Sequence, residues 1–388
     1  MHPCFAPIRR LDTLVLAAVD VQLRGEAGGS FDTAAALQDA ARAMSQKVEL
    51  DRLKWVAAKS SDLTGFPALV TIDLESVEGI ADVDTEALTH SIVVIADSTL
   101  ISRPGATLEA VRRARAAGKV VAVDGIGGSP RALALLPLIE PDIVILDPAL
   151  IAHRPDAATA RTVHAVAAQV ERTNAVVVAS GVDTELHRQR AIGLGAEFGL
   201  GALFPPVDSL SELADEPIHP FPPLPTWSTD SDLVDADTPY SLLSTHRRSI
   251  RSRKRLLITM STTLEAQAAA SGPETVVLGT FQHARHFTTR TASRWRNLAE
   301  SVAYVGVYGV DMLDGVDAGI HHAPLSDDDE LVEEWTIVVL APHFCSVLSA
   351  RDLHRGENDM DREFDYVVSY DRAAVVRSAR SIMRRFTA

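Results

Sequence analysis

The first half of the chain is constrained above all by a recurring alternation. Short runs dense in valine and isoleucine are each followed by an alanine- and arginine-rich stretch of helical periodicity. The runs fall at residues 14–21, 68–74, 92–96, 120–124, 143–147, 176–180 and 198–203, with helices expected between them at 108–117, 157–171 and 186–193. Strands this continuously apolar suit a parallel sheet covered on both faces. Repeated βα units over roughly 200 residues predict an α/β fold, a (β/α) TIM-like barrel near its minimum size.

At 388 residues the chain is long enough for a second domain. From Glu216 the composition changes. Pro217, Pro220, Pro222, Pro223 and Pro225 precede Asp230, Asp232, Asp235 and Asp237. Fixed backbone and mutual repulsion read as a semi-rigid linker, partly strapped to the barrel by Ile218, Phe221 and Trp227. The expected division is a barrel at 1–207, a linker at 208–239 and a smaller mixed α/β domain at 240–388. That last domain is read as one helix over 240–270, strands at 275–281, 302–308, 335–341 and 364–370, and a closing helix at 372–385.

A formal charge of −15 argues against general nucleic-acid binding, which needs a positive field. Cys4 and Cys345 are the only cysteines, so no disulfide framework is drawn and a reducing cytoplasm is expected. No apolar run approaches the ~18 residues of a membrane span, and Met1-His2-Pro3-Cys4 does not begin a secretory leader. Neither a membrane nor a nucleic-acid partner is expected.

The strand ends narrow the reading further. They carry Val120-Val121-Ala122-Val123-Asp124-Gly125-Ile126-Gly127-Gly128, then Pro141-Asp142-Ile143-Val144-Ile145-Leu146-Asp147. After these come Val176-Val177-Val178-Ala179-Ser180-Gly181-Val182-Asp183-Thr184-Glu185, and a last block from Leu194 to Phe204. In order and spacing these resemble the DDFGTG, KID, EGVET and QGY-F blocks of the EAL family of cyclic-di-GMP phosphodiesterases, and Ala6-Pro7-Ile8 is similar to that family's entry motif. The resemblance implies two divalent cations held by oxygen ligands at the strand ends, which activate water against a phosphodiester with help from a lysine and glutamates.

Carried over position by position, the resemblance puts the signature glutamate on Asp20, one methylene shorter. The next ligands fall on Asp73 and Val94. Asp124 keeps the first of two paired aspartates, and Gly125 replaces the second. Ile145 stands at the lysine, followed by a retained acid at Asp147. Ser180 stands at the next glutamate and Leu200 at a glutamine. The expectation is a barrel without catalytic residues or resident metal, hence not an enzyme, and loss of these groups also argues against cyclic-di-GMP binding. Residual phosphodiesterase activity and a silent cyclic-di-GMP receptor are the alternatives. Asp20, Asp73, Asp124 and Asp147 are read as polar strand-end caps in preference to residual ligands. The glycine cluster at 125–128 is read as a tight turn in preference to a phosphate cradle.

The second half carries Leu257-Ile258-Thr259-Met260-Ser261-Thr262-Thr263-Leu264-Glu265, Thr280-Phe281-Gln282-His283-Ala284-Arg285-His286-Phe287 and the block from Glu334 to Phe344. It also carries Ala350-Arg351-Asp352-Leu353 and Phe364-Asp365-Tyr366-Val367-Val368-Ser369-Tyr370-Asp371-Arg372. Together these resemble the DICT sensory domain, which implies signal reception. A pocket is expected from Phe281, His283, His286, Phe287, Trp335, His343 and Phe344; no cofactor is named, and a small ligand or chromophore is left open. Histidines 283, 286, 321, 322 and 343 are read as structural in preference to metal-binding. The basic stretch from Arg247 to Arg255 is read as a solvated helix face or a dock for the acidic linker. A protein partner in a signalling pathway is expected, and EAL-type barrels imply a homodimer.

Overall fold

The computed structural model describes residues 1–26, 28–61, 63, 66–76, 91–96, 104–222 and 237–385. They form two compact units, one of Met1–Leu100, Ala110–Ser129 and Glu140–Thr229, the other of Ile101–Glu109, Pro130–Ile139 and Asp230–Ala388.

The first unit is a closed eight-stranded barrel. Its strands are β1 (His2–Arg10), β2 (Leu16–Arg24), β3 (Ala68–Asp73), β4 (Ser91–Ala96), β5 (Val120–Ile126), β6 (Ile143–Leu146), β7 (Val176–Ser180) and β8 (Phe198–Leu200). The intervening helices are α1 (Ala34–Ala43), α2 (Lys47–Ser60), α3 (Pro104–Ala116), α4 (Pro130–Ile139), α5 (Pro148–Ala152), α6 (Ala157–Thr173) and α7 (Glu185–Gly193), of which α4 belongs to the second unit. From β2 to β8 every neighbour is parallel, whereas β1 runs antiparallel to both β2 and β8 and closes the ring.

Strand β1 is absent from the sequence reading because Pro3 and Pro7 break its pattern. The second strand starts at Leu16 rather than 14 because Leu14, at φ 62°, sits in the tight turn from β1, its N–H bonded to the Arg10 carbonyl at 2.9 Å. The last ends at Leu200 rather than 203. There a Cβ on Gly201 would come within 2.3 Å of the Val182 nitrogen, so the chain passes too close for a side chain and turns.

Beyond the barrel, the chain to residue 222 is a strap. Val207 bridges Phe5, the His219 N–H reaches the Leu16 carbonyl at 2.9 Å, and Glu216 takes two bonds from the Arg9 guanidinium at 2.5 and 2.8 Å. Phe221 stands edge-on to Phe198, centroids 4.6 Å apart. Trp227 and the aspartates at 230, 232 and 235 lie outside the described residues.

The second unit is built on an eight-stranded mixed sheet of order β12-β13-β11-β10-β14-β15-β16-β9. In chain order it contains α8 (Pro239–Ser244), β9 (Ile250–Arg253), α9 (Lys254–Ala270), β10 (Val276–His283), α10 (Thr289–Ala299), β11 (Tyr304–Val310), β12 (Gly315–Asp317), β13 (Ile320–Pro324), β14 (Glu334–Leu340), β15 (Cys345–Asp352), β16 (Glu363–Ser369) and α11 (Arg372–Met383). Its core sets Leu257, Leu264 and Ala268 of α9 and Trp295 and Leu298 of α10 against Val277, Val305, Ile337 and Leu348 of the sheet. Trp295 is wholly buried, and Gly279 makes room for it: a Cβ there would lie 2.4 Å from the indole.

The single helix expected over 240–270 is instead α8, β9 and α9. Tertiary pairing decides this. Ile250 to Arg253 align against β16, and the basic residues meet acids around that strand: Arg251 with Asp365 at 3.0 Å, Arg253 and Arg255 with Asp361 at 3.5 Å each, Lys254 with Asp359 at 2.7 Å. The basic stretch is thus split between β9 and the first turn of α9, and those four side chains are taken up by acids of the same unit. Strand β15 escaped the sequence reading because buried Ser346 and Ser349 interrupt its apolar run; the Ser349 hydroxyl finds Thr336 across the strands at 2.7 Å.

One buried carboxyl group ties the entry of this unit to its sheet. Glu334, fully buried at the start of β14, accepts from the Thr238 hydroxyl, the Tyr240 N–H at 3.0 Å and the Ser349 hydroxyl at 3.3 Å. Burial outweighs these donors and pushes its carboxyl up to about 7 from 4.5. The folded state therefore holds a proton that the unfolded chain releases near 4.5. The stability this adds is complete below about 4.5 and is lost as pH rises through about 7. Replacing Glu334 with Gln should remove that slope. In thermal melts between pH 4.5 and 7, the wild type should lose Tm relative to E334Q as pH rises; parallel curves would contradict the assignment.

Candidate functional site

Side chains along a strand point alternately to its two faces. A cluster fed by all eight barrel strands can occupy only the inner face, and one such cluster holds Ile8, Ala18, Leu69, Ile92, Ala122, Ile143, Val178 and Phe198. Val94 belongs to it, and Ile145 and Leu200 pack against it. Three positions to which the resemblance assigns a glutamate, a lysine and a glutamine are therefore hydrocarbon in a hydrocarbon setting. Ser180, half-buried at the end of β7, pairs with Leu200 across the strands.

The retained acids have internal partners. Asp20, almost buried on β2, accepts from the Thr71 hydroxyl at 3.0 Å and the Gln22 amide at 2.8 Å. At the end of β3 the Asp73 N–H and the Ser76 hydroxyl donate to Asp51 at 2.9 and 2.6 Å. Lys47 bonds the other oxygen of Asp51 at 2.6 Å and lies 3.8 Å from Asp73. Lys54, also buried, gives its ammonium to the Thr71 carbonyl at 2.6 Å. Burial lowers its pKa, while Asp20, Asp51 and Asp73 pull the other way. Three carboxylates thus share a partly dry corner with two ammonium groups. Sequence reasoning missed Lys47, Asp51 and Lys54. Their signal was the spacing of four and then three along one face of α2.

Asp124 and Asp147 are turned to local backbone. Asp124 accepts from the Gly125 N–H at 2.8 Å, and Asp147 caps α5 through the Ala149 N–H at 2.7 Å. The glycine cluster is a turn, closed by a 3.1 Å bond from the Gly128 N–H to the Gly125 carbonyl. Gly127, at φ 104°, faces Leu150 so closely that a Cβ would lie 2.2 Å from it, and a Cβ on Gly128 would strike the Asp147 carboxylate at 2.8 Å. That tight fit against α5 explains the glycines without a phosphate.

In the second unit five of the seven expected pocket residues line three cavities. Phe281, His286 and Trp335 line one; Phe287 lines another beside His322; His283 and His286 line a third with Glu333, Asp352 and His354. Phe281 and Phe287 stand edge-on with centroids 4.9 Å apart, and His283 and His286 do the same at 5.9 Å. A bulge follows Thr280, where Gln282 takes φ 60° and the register shifts, re-aiming His283. Phe344 neighbours Tyr370, centroids 6.4 Å apart, and His343 is exposed in the turn after β14. Of the other histidines, His321 stacks on Tyr304 at 4.4 Å, and His322 meets the Phe287 ring at 5.8 Å. Among the described residues no three His, Cys, Asp or Glu side chains gather to hold a metal ion.

Comparison with known proteins places this geometry. Residues 1–206 match the family model described as EAL domain, and residues 239–353 match DICT, a sensory domain in diguanylate cyclases and two-component systems. Among solved structures the chain is similar to the PaMucR phosphodiesterase in complex with c-di-GMP, at 20% identity and TM-score 0.44, covering 55% of this chain and 98% of that one. It is also similar to the Xanthomonas citri FimX EAL domain with c-diGMP, at 16% identity and TM-score 0.44, covering 53% and 87%. A third is Klebsiella pneumoniae BlrP1 with calcium and cy-diGMP, at 19% identity and TM-score 0.45; the match covers 53% of this chain and 55% of that one. No curated protein matches the chain.

The α2 corner generates a stability prediction. Asp51→Ala removes the carboxylate that Lys47, Ser76 and the Asp73 N–H share and leaves buried donors unmet. Such losses cost about 3–5 kcal/mol. Urea unfolding should show a fall of that size in D51A and a smaller one in D51N; a change under about 1 kcal/mol in D51A would contradict this reading.

Proposed function

The chain belongs to the EAL family, and we propose that its barrel has lost phosphodiester hydrolysis and serves as a scaffold regulated by the DICT domain. One observation supports this above the rest: at the strand ends, hydrocarbon occupies positions that would hold cations and proton carriers, and the surviving acids are committed elsewhere. Val94, Ile145 and Leu200 join the apolar interior, Asp147 caps a helix, and Asp20, Asp51 and Asp73 are balanced by Lys47 and Lys54.

Family chemistry calls for two divalent cations, which need clustered hard oxygen ligands. The donor set here does not fit a pair: a lysine ammonium already stands among the acids of the β2–β3 corner, and the β4, β6 and β8 positions offer no oxygen side chain. Losing a general acid–base group alone costs ~10²–10⁴ in rate. An emptied metal position removes several further kcal/mol of transition-state stabilisation. No combination of these losses leaves useful turnover.

The DICT domain is then the receiving half, and the barrel the half that meets a protein partner or a second copy of itself in a signalling pathway. No described helix is long and apolar enough to cross a membrane. Both cysteines are buried and neither is in a disulfide, which suits the reducing cytoplasm as the proposed setting.

The purified full chain should leave cyclic-di-GMP intact with magnesium or manganese, followed by chromatography of the nucleotide. Calorimetry on the same sample should show no saturable micromolar heat. Turnover abolished by Asp124→Ala would overturn the proposal. Saturable binding without turnover would convert the scaffold into a receptor.

A further inference from the structure

Between α9, α10 and the sheet of the second unit lies a cavity of about 510 Å³, within the range of small-molecule sites. Its floor is aromatic. Phe281 and Trp335 are cross-strand partners on β10 and β14, and Phe364 stands edge-on to Trp335 with centroids 6.2 Å apart. A flat body suits such a floor better than a flexible chain, because ring faces and edges reward planar contact.

The polar groups on its walls fall into two sets. Glu265 is held by Arg294 at 2.8 and 3.4 Å, and Lys254 is held by Asp359 at 2.7 Å. These charges are spent within the protein. Ser261 is not: it lines the cavity, is only 3% exposed, and its hydroxyl has no hydrogen-bond partner among the described residues. The indole N–H of Trp335, also in the lining, has none either. Buried polar groups in native proteins are almost always paired, so two orphans lining one cavity mark a missing partner. At the mouth Arg290 is exposed and makes no ion pair among the described residues. His286 contributes an acceptor. Its Nδ1 lies 3.1 Å from the Phe281 carbonyl, which only accepts, so in the neutral ring Nε2 keeps its lone pair; burial lowers the ring's pKa to about 4.

We propose that this cavity binds a planar, largely apolar small molecule with an anionic end, its body on Phe281, Trp335 and Phe364, its anion at Arg290, and a hydrogen-bonding edge toward Ser261. Occupation would be the input to the DICT domain. That role rests on the regulatory reading given above, whereas binding itself does not, and the test leaves barrel chemistry untouched.

The probe is 8-anilinonaphthalene-1-sulfonate, which carries a planar naphthalene and an anionic sulfonate, added to the full chain and followed by its fluorescence. Neutral N-phenyl-1-naphthylamine is the companion. Wild type should bind both saturably, with one site per chain. Thr262→Phe fills the cavity from α9 without orphaning a partner, because the Thr262 hydroxyl bonds only carbonyls of its own helix; it should weaken both probes more than about tenfold. Arg290→Ala, an exposed change, should weaken the sulfonate about fivefold and leave the neutral probe unchanged. Unsaturable binding, unchanged affinity in a folded T262F, or equal weakening of both probes by R290A would each overturn the proposal. Should T262F fail to fold, the R290A comparison decides alone.

Discussion

A carboxylate withdrawn from water must find a cation or several donors, and a protein that places acids at the rim of a closed barrel has to supply them. In this chain the supply is internal. Helix α2 presents Lys47, Asp51 and Lys54 on one face, and with Thr71, Gln22 and Ser76 they satisfy Asp20 and the end of β3. The compensation is covalently attached: each of these acids has a partner within the chain. The rest of the rim follows the same logic in the opposite direction: where no carboxylate remains, the interior closes over with Val94, Ile145 and Leu200.

The barrel was legible because its parallel strands are buried on both faces and so spell nearly unbroken apolar runs. What escaped was whatever lacked such a run. Strand β1 is antiparallel and carries two prolines, and β15 threads serines through the core. The site was legible in part. Inward-facing positions follow from alternation once strands are assigned, so the placement of Asp20, Val94, Ile145 and Leu200 could be read in advance. The partners of the acids could not, since Lys47 and Asp51 lie far from them in sequence and only the packing of α2 brings them near.

The second unit teaches a different lesson. Residues 240–270 have helical composition, yet four of them extend and pair with β16, where Arg251 and Arg253 reach Asp365 and Asp361. Long-range charge and edge pairing override local preference there. Likewise one residue in a left-handed conformation, Gln282, shifts the register of β10, and Phe281 and His283, two residues apart, line different cavities. Adjacency along a strand is a poor guide to shared surface wherever a bulge intervenes.

The terminal strands of the large sheet have a further consequence. One, β12, spans only Gly315–Asp317; the other, β9, spans Ile250–Arg253 and carries ion-paired arginines. Strands that brief and that charged are poor templates for a visiting backbone. Any assembly this unit enters is therefore steered away from ribbon-to-ribbon extension and toward contacts made by helices and loops.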